Sequence, residues 1–184
     1  MLISREFYER DTVTVAKELL GAVLYRRTAE GVCAGRIVET EAYLGPKDPA
    51  AHTYRGKTDR TKTLFGEKGT AYIYRVYGMY HCLNIATGES DAPECVLIRA
   101  LAPLTGEDIM AARRGKARDL CGGPGKLCMA LSLSVNENGL DLTKTESGLW
   151  LEHGTPLASV ASPRIGIDYA GDAALWPLRF TPQT

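Results

Sequence analysis

The sequence predicts an α+β fold, with a mainly antiparallel, curved β-sheet and short surrounding helices in a single domain that spans residues 1–184. Strand-like segments of alternating apolar and polar residues dominate, the helix-like segments are short, and the two kinds do not alternate regularly. A strand-rich order with scattered helices is typical of α+β proteins. The chain has no repeat or linker, and 184 residues suffice for one sizeable core.

The elements follow from local signals. Asp11 can cap a first helix at 12–20, which Gly21 can end. Strands are predicted at 22–27, 32–43, 70–76, 80–85 and 95–101. Short helices at 107–114 and 126–131 come next, and then strands around 149–152 and in the last twenty residues.

Composition excludes several classes of protein. The first eleven residues are charged and lack an apolar h-region, so no signal peptide is predicted, and no apolar run approaches the roughly 18 residues of a membrane span. Five cysteines form an odd number without a CxxC pair, which predicts neither a disulfide framework nor a zinc site. We therefore expect a cytoplasmic protein with reduced thiols and without a metal site or a membrane partner. We further expect a monomer.

The net charge is zero, which argues mildly against a nucleic-acid partner. The charges are unevenly distributed, because 53–68 and 112–118 are predominantly basic while 137–152 is predominantly acidic. This asymmetry could give a basic face for phosphates and an acidic back. An ordinary mixed surface is the alternative.

Two carboxylates lie on the strand-like segment at 36–43. A period of two would put Ile37, Glu39, Glu41 and Tyr43 on one face. If that face lined a partly buried pocket, desolvation and mutual repulsion would raise the pKa of one glutamate and make it a better general base. A solvated strand end is the alternative.

The segment after this strand predicts a turn and then a helix. Leu-Gly-Pro at 44–46 breaks the strand, and Asp48-Pro49 provides an N-cap followed by proline at the first helical position. Such a helix would bring His52 toward the carboxylates, although a lone histidine is usually structural.

Tyrosines are concentrated in the next two strands. Tyr72 and Tyr74 share one face of the strand at 70–76, and Tyr77-Gly78 forms the turn into the following strand. Glycine permits a tight turn that would present Tyr77 outward at a loop tip. Burial of these rings as core is the alternative.

The glycine-rich segment at 122–126 is not a P-loop, because Leu127 follows the lysine where serine or threonine is required. It is expected to begin the helix at 126–131. Backbone N–H groups near Gly125, together with Lys126, could contact a DNA phosphate. A purely structural helix start is an equally good interpretation.

Taken in order, ETEAYLGP with AAH, YIYRVYGMYHCLN, CVLIRALAP, GPGKLCMAL, and RIGI with PLRF resemble the alkyladenine (3-methyladenine) DNA glycosylases of base-excision repair. The resemblance covers nearly the whole chain, and the fold of that family agrees with the α+β prediction. It implies a monofunctional hydrolase that flips damaged purines out of double-stranded DNA and hydrolyses the N-glycosidic bond with an activated water, without a cofactor. The implied lesions are 3-methyladenine, hypoxanthine, ethenoadenine and 7-methylguanine, and DNA binding would place the protein at the nucleoid.

By residue, the resemblance implies that Glu41 is the general base and that Arg99 helps to hold the water. Only the resemblance ranks Glu41 above Glu39. A backbone carbonyl near Ile165 or Ile167 is a further candidate contact of that water, and the sequence does not choose between them.

The base pocket is implied in the same way. Tyr43, His52 and Tyr74 would stack on or border the flipped purine, and Asn84 would discriminate against the exocyclic amino group of guanine. Tyr77 would insert into the duplex and fill the gap left by the nucleotide.

The chain departs from the family pattern in the segment 53–68, which has Arg60-Thr61 and Leu64-Phe65 where the family often has Arg-Asn and Met-Phe. Two other functions remain open at this point. A nucleosidase for free small molecules would have a closed pocket without an exposed aromatic tip, and a noncatalytic nucleic-acid-binding module would release no base.

Overall fold

The computed structural model describes residues 1–183. Within them, eight strands form a single sheet in which every named pair is antiparallel. The main order is β3-β4-β5-β2-β1-β6, while β8 pairs with β2 and β7. The strands are β1 Val23–Thr28, β2 Gly31–Tyr43, β3 Ala71–Val76, β4 Tyr80–Thr87, β5 Glu94–Thr105, β6 Leu149–Glu152, β7 Ser159–Ser162 and β8 Arg179–Pro182. The predicted α+β class is confirmed.

The helices are short. They are α1 Arg5–Tyr8, α2 Thr12–Glu18, α3 Glu107–Arg114 and α4 Pro124–Ala130, with 3-10 turns at Gly45–Lys47, Lys62–Phe65, Val135–Glu137, Thr145–Ser147 and Asp168–Leu175. The carboxylate of Asp11 caps α2 as predicted, because it accepts a hydrogen bond from the Thr14 N–H at 2.8 Å. Helix α4 begins two residues earlier than predicted, since proline fits the first helical turn, where its missing N–H has no partner to lose.

The main core lies between the sheet and the helices α2 and α4. Leu24, Ile85, Ile98 and Phe180 of the sheet are all fully buried in this core. Helix α2 is also attached by a hydrogen bond of 2.8 Å from the Thr40 hydroxyl to the Ala16 carbonyl. Burial of large apolar side chains is the main stabilising term for such a domain.

Two smaller apolar clusters support the loops beside the sheet. One consists of Ala50, Ile167, Ala170 and Ala173, and the other of Leu64, Tyr72, Ala86 and Cys95. The ring of Tyr43 packs against both clusters. These clusters therefore connect the end of β2 with the loops that follow it and with the segment after β7.

The pairing of β2 with β5 is irregular on both sides of Glu39. Ile37 and Ala42 are five positions apart, yet both belong to the main core, which a regular strand does not permit. The prediction that Ile37 shares one face with Glu39, Glu41 and Tyr43 is therefore wrong. A β-bulge interrupts the period of two and changes the direction of the side chains beyond it.

The predicted helix after Asp48 is also wrong, because residues 49–55 form turns. The Asp48 side chain accepts hydrogen bonds from the Leu44 and Ala50 N–H groups, both at 3.0 Å, and forms a buried ion pair with Arg164. These contacts hold the carboxylate within the loop, so tertiary structure overrides the local capping signal. No helix within residues 1–183 is long and apolar enough to cross a membrane.

Candidate active site

A cavity of about 410 Å³ opens beside β2, β3, β4 and β5. Its volume lies in the range that is usual for small-molecule sites. The predicted pocket residues and Arg99 all line it, together with parts of the loops that follow β2 and β7. These predicted residues are Tyr43, His52, Tyr74 and Asn84. The fold thus brings together side chains from four strands and two loops.

The Glu41 carboxylate is fully buried directly beside the wall of this cavity. One oxygen accepts a hydrogen bond of 2.8 Å from the Tyr43 hydroxyl, and the other accepts one of 2.8 Å from the Ile165 N–H. Arg99 lies 3.5 Å away. Burial raises the pKa of Glu41, while Arg99 and the two hydrogen bonds partly oppose this rise. The result is a positioned carboxylate that is more basic than an exposed one.

Glu39 has a different environment. One oxygen of its carboxylate accepts hydrogen bonds from Arg99 Nε at 2.9 Å and from Arg179 Nη1 at 3.0 Å. Arg99 therefore lies between the two glutamates and contacts both. Glu39 is bound to two guanidinium groups, whereas Glu41 contacts the lining residues Tyr43 and Ile165.

Aromatic rings form one wall of the cavity. The His52 and Tyr74 rings meet edge to face with centroids 4.5 Å apart, and His52 Nδ1 is 2.9 Å from the Tyr72 hydroxyl. Desolvation, and then the charge of Arg60, lower the pKa of His52 to about 4. The imidazole is consequently neutral at pH 7. Tyr72 was not predicted as a site residue, although its spacing of two from Tyr74 was a usable signal.

Asn84 lies almost fully buried in the cavity wall, where 2% of its surface is exposed. Its amide nitrogen donates to the Tyr72 carbonyl at 3.2 Å, and its amide oxygen accepts a contact of 3.8 Å from the Cys95 thiol. These partners fix the direction of the amide group. Cys95 is a free, buried thiol, and burial raises its pKa to about 12.

The ion pair of Asp48 and Arg164 supports this site and was not predicted. Both side chains are fully buried, and the Arg164 guanidinium lies over the Tyr43 ring at 4.7 Å from its centroid. Arg164 also donates to the Ala42 carbonyl at 3.0 Å. Because Ile165 follows directly, this pair holds both hydrogen-bond donors of Glu41 in place. A separation of 116 residues left no local signal for it.

Ile165 and Ile167 differ in position. Both residues line the cavity, but Ile165 is 50% exposed and donates its N–H to Glu41, whereas Ile167 is 4% exposed and packs in the cluster with Ala50. A carbonyl contact to water from either residue stays a prediction. Within residues 1–183, no group of three or more His, Cys, Asp or Glu side chains could hold a metal ion.

Comparison with known proteins decides the family. The family model described as methylpurine-DNA glycosylase (MPG) matches residues 6–184. The chain belongs to the methylpurine-DNA glycosylase family. Members of this family are DNA glycosylases, a class of hydrolases, so the resemblance found in the sequence is confirmed.

The relatives of this glycosylase are similar over almost its whole length. "Putative 3-methyladenine DNA glycosylase" of Methanocella arvoryzae is 48% identical over 183 residues, which cover 97% of this chain and 91% of that protein. The protein of the same name in Bdellovibrio bacteriovorus is 44% identical, covering 98% and 94%. "DNA-3-methyladenine glycosylase" of Mus musculus is 45% identical over 97% of this chain and 58% of the mouse protein.

The hairpin between β3 and β4 projects from the glycosylase beside the cavity. Tyr77 at its turn is 91% exposed and also lies at the edge of the cavity, and Met79 is 65% exposed. Tyr77 has φ +50° and Gly78 has φ +72°, so the turn uses two successive residues in the left-handed region. The outward position of Tyr77 agrees with the sequence, while insertion into DNA stays a prediction.

Gly125 and Lys126 lie in the first turn of α4. Lys126 forms an exposed ion pair with Asp119, which lowers the pKa of that aspartate. A Cβ atom at Gly125 would lie 3.1 Å from the Tyr80 ring, so glycine permits a close approach between α4 and β4. The contact of this segment with a DNA phosphate stays a prediction.

Proposed function

We propose that this glycosylase acts as a single-domain monomer on double-stranded DNA, extrudes a damaged purine into the aromatic cavity and hydrolyses its N-glycosidic bond with water activated by Glu41. The observation that carries the proposal is the buried Glu41 carboxylate beside a cavity lined by Tyr43, His52 and Tyr74. Such a protein would be found in the cytoplasm and at the nucleoid.

Extrusion is required because a base inside a duplex cannot be reached by a buried carboxylate. Unstacking costs a few kcal/mol, and least for a damaged or badly paired base. Stacking on aromatic rings returns about 1–3 kcal/mol per base, which Tyr43 and Tyr74 can supply. Tyr77, exposed at the edge of the cavity, would fill the space that the nucleotide leaves in the duplex.

The chemical step requires a base close to the sugar carbon. As the bond to the purine breaks, positive charge develops on the sugar, and the Glu41 carboxylate stabilises it, by analogy with glycoside hydrolysis. The water oxygen bonds to the sugar carbon, and Glu41 accepts the water proton. A general base typically contributes about 10² to 10⁴ in rate. Arg99, which contacts Glu41, would help to hold this water.

The contacts of the two glutamates favour Glu41 as the base. Glu39 is held by ion pairs with Arg99 and Arg179, whereas Glu41 is held by Tyr43 and Ile165, which line the cavity. We propose that Glu39 instead positions Arg99.

The substrates proposed are 3-methyladenine, hypoxanthine, ethenoadenine and 7-methylguanine. The fixed amide of Asn84 supports discrimination at the purine edge. A purine amino group that is buried beside it without a hydrogen-bond partner would cost about 1–3 kcal/mol. Unmodified guanine would be disfavoured through its exocyclic amino group.

The test is base release from duplexes that each carry one of these lesions. We expect Glu41→Gln to reduce single-turnover excision by at least about 10²-fold while lesion-DNA binding persists, because the amide keeps the shape but accepts no proton. Glu39→Gln is the matched control and should retain more activity. Near-normal excision by Glu41→Gln would refute the role of Glu41 and point to Glu39.

The same assay separates the alternative functions. Release of bases from free nucleosides but not from DNA would indicate a nucleosidase. Lesion-DNA binding without release of any base would indicate a noncatalytic module.

A further inference from the structure

Arg60 lies in the segment 53–68 and matches the arginine that the family often has there, whereas the next residue, Thr61, departs from the family pattern. Its side chain is exposed and lines the cavity, with the guanidinium carbon 4.9 Å from the centroid of the Tyr74 ring. The same ring contacts His52. The guanidinium therefore lies at the aromatic wall against which a purine would stack.

Unlike the arginines beside Glu41, Arg60 forms no ion pair with a carboxylate within residues 1–183. Beside Glu41, three arginines are balanced by three carboxylates. These pairs are Arg99 with Glu39 and Glu41, Arg179 with Glu39, and Arg164 with Asp48. Two arginines that line the cavity, Arg60 and Arg75, are in none of the ion pairs within residues 1–183. Of these two cations, only Arg60 stacks on an aromatic ring of the wall.

The charge of Arg60 acts on neighbouring groups inside the cavity. Desolvation is the main cause of the lowered pKa of His52, and the charge of Arg60 lowers that pKa further. The same charge opposes the rise in the pKa of Tyr72 that burial causes. A neutral His52 contributes no second positive charge to this wall. An unpaired cation in a partly enclosed site interacts with ligand charge more strongly than it would in water.

We infer that Arg60 makes the enzyme selective for neutral damaged purines, such as hypoxanthine, over purines with a fixed positive charge, such as 7-methylguanine. This inference rests on the proposed function. A neutral purine is not repelled when it enters the cavity. A cationic purine approaches the guanidinium with a charge of the same sign.

Bond cleavage strengthens this preference. The departing purine keeps both electrons of the glycosidic bond, so a neutral lesion develops negative charge until it takes a proton from solvent. The guanidinium of Arg60 stabilises that charge as it develops. A cationic lesion departs as a neutral base, so no negative charge develops on it. Arg60 therefore does not stabilise its transition state relative to the free enzyme and DNA. The attacking water supplies hydroxide to the sugar and a proton to Glu41 in both cases.

The experiment compares single-turnover excision of hypoxanthine and of 7-methylguanine from otherwise identical duplexes at subsaturating enzyme. We expect Arg60→Gln to lower the ratio of the hypoxanthine rate to the 7-methylguanine rate by about tenfold, which corresponds to about 1.4 kcal/mol. Arg60→Lys should restore most of the ratio because it keeps the charge. Arg55→Gln, an exposed change in the same loop outside the cavity, removes one positive charge and should affect both lesions equally.

An unchanged ratio in Arg60→Gln would overturn the inference, as would an equal shift in Arg55→Gln. The proposed function fails separately, if the unaltered protein excises neither lesion, and the inference then fails with it. Thermal melting of each variant checks folding, and an exposed side chain such as Arg60 should change the melting temperature little.

Discussion

Replacing Asp48 by alanine should destabilise the protein strongly and also impair its active site. The carboxylate is fully buried, is bound to Arg164 through both of its oxygens and accepts the Leu44 and Ala50 N–H groups. Alanine would leave the Arg164 charge buried without a counterion. It would also remove the acceptor of two backbone N–H groups.

The expected magnitude follows from these contacts. Removing one partner of a buried ion pair typically costs about 3–5 kcal/mol, because the other charge stays buried and unpaired. For a domain of this size, 1 kcal/mol shifts the melting temperature by about 2–4 °C, so we expect a decrease of about 6–20 °C. Excision should fall as well, because Tyr43 and Ile165 donate the two hydrogen bonds to Glu41. Arg164 packs over the Tyr43 ring and directly precedes Ile165, so its displacement would disturb both donors.

Thermal melting followed by circular dichroism measures the effect. Glu18→Ala is the control, since it removes an exposed ion pair with Arg10 and should cost at most about 1 kcal/mol. The double variant Asp48→Leu/Arg164→Met should be more stable than Asp48→Ala, because it leaves no unpaired charge. A melting temperature for Asp48→Ala within about 2 °C of the unaltered protein would refute the reasoning.

Two further predictions concern Glu41 and Tyr77. Burial raises the pKa of Glu41, and the proposed mechanism uses its deprotonated form as the base. Single-turnover excision should therefore rise with pH through an acid limb above the ordinary glutamate value of about 4.3. Glu39→Gln should move that limb to lower pH, because Arg99 would then contact only one carboxylate, that of Glu41. A limb at or below about 4.3 in the unaltered protein would contradict the raised pKa of Glu41. Tyr77→Ala should weaken lesion-DNA binding by about 1–3 kcal/mol in a titration while the melting temperature hardly changes, because the ring is 91% exposed. Unchanged affinity with a large decrease in melting temperature would show that Tyr77 supports the core instead.

Much of the fold could be predicted because its signals are local. Asp11 caps α2 as expected, and the segments at 70–76, 80–85 and 149–152 are strands within one or two residues of the prediction. The missed elements were short. Helix α1 has four residues, and β7 has four exposed or half-buried residues, Ser159–Ser162, so neither carries a readable period.

The errors lie where distant residues override a local preference. The irregular pairing beside Glu39 depends on β5, and the turn at Asp48 depends on an arginine 116 residues away. Neither partner is visible in a window of ten or fifteen residues. The alternation rule and the capping rule were both sound locally and both failed for this reason.

By itself, the sequence determined the family and, through family motifs, the candidate site residues Glu41, Arg99, Tyr77 and the aromatic set around His52. Only the tertiary structure decided their environments. Burial raises the pKa of Glu41, and two arginines bind Glu39. Arg60, which is in none of the ion pairs within residues 1–183, lies at the Tyr74 ring. The physical reason is that residue type and order set local conformation and chemical capacity. Desolvation and charge pairing depend instead on distances across the folded chain, which no local spacing encodes.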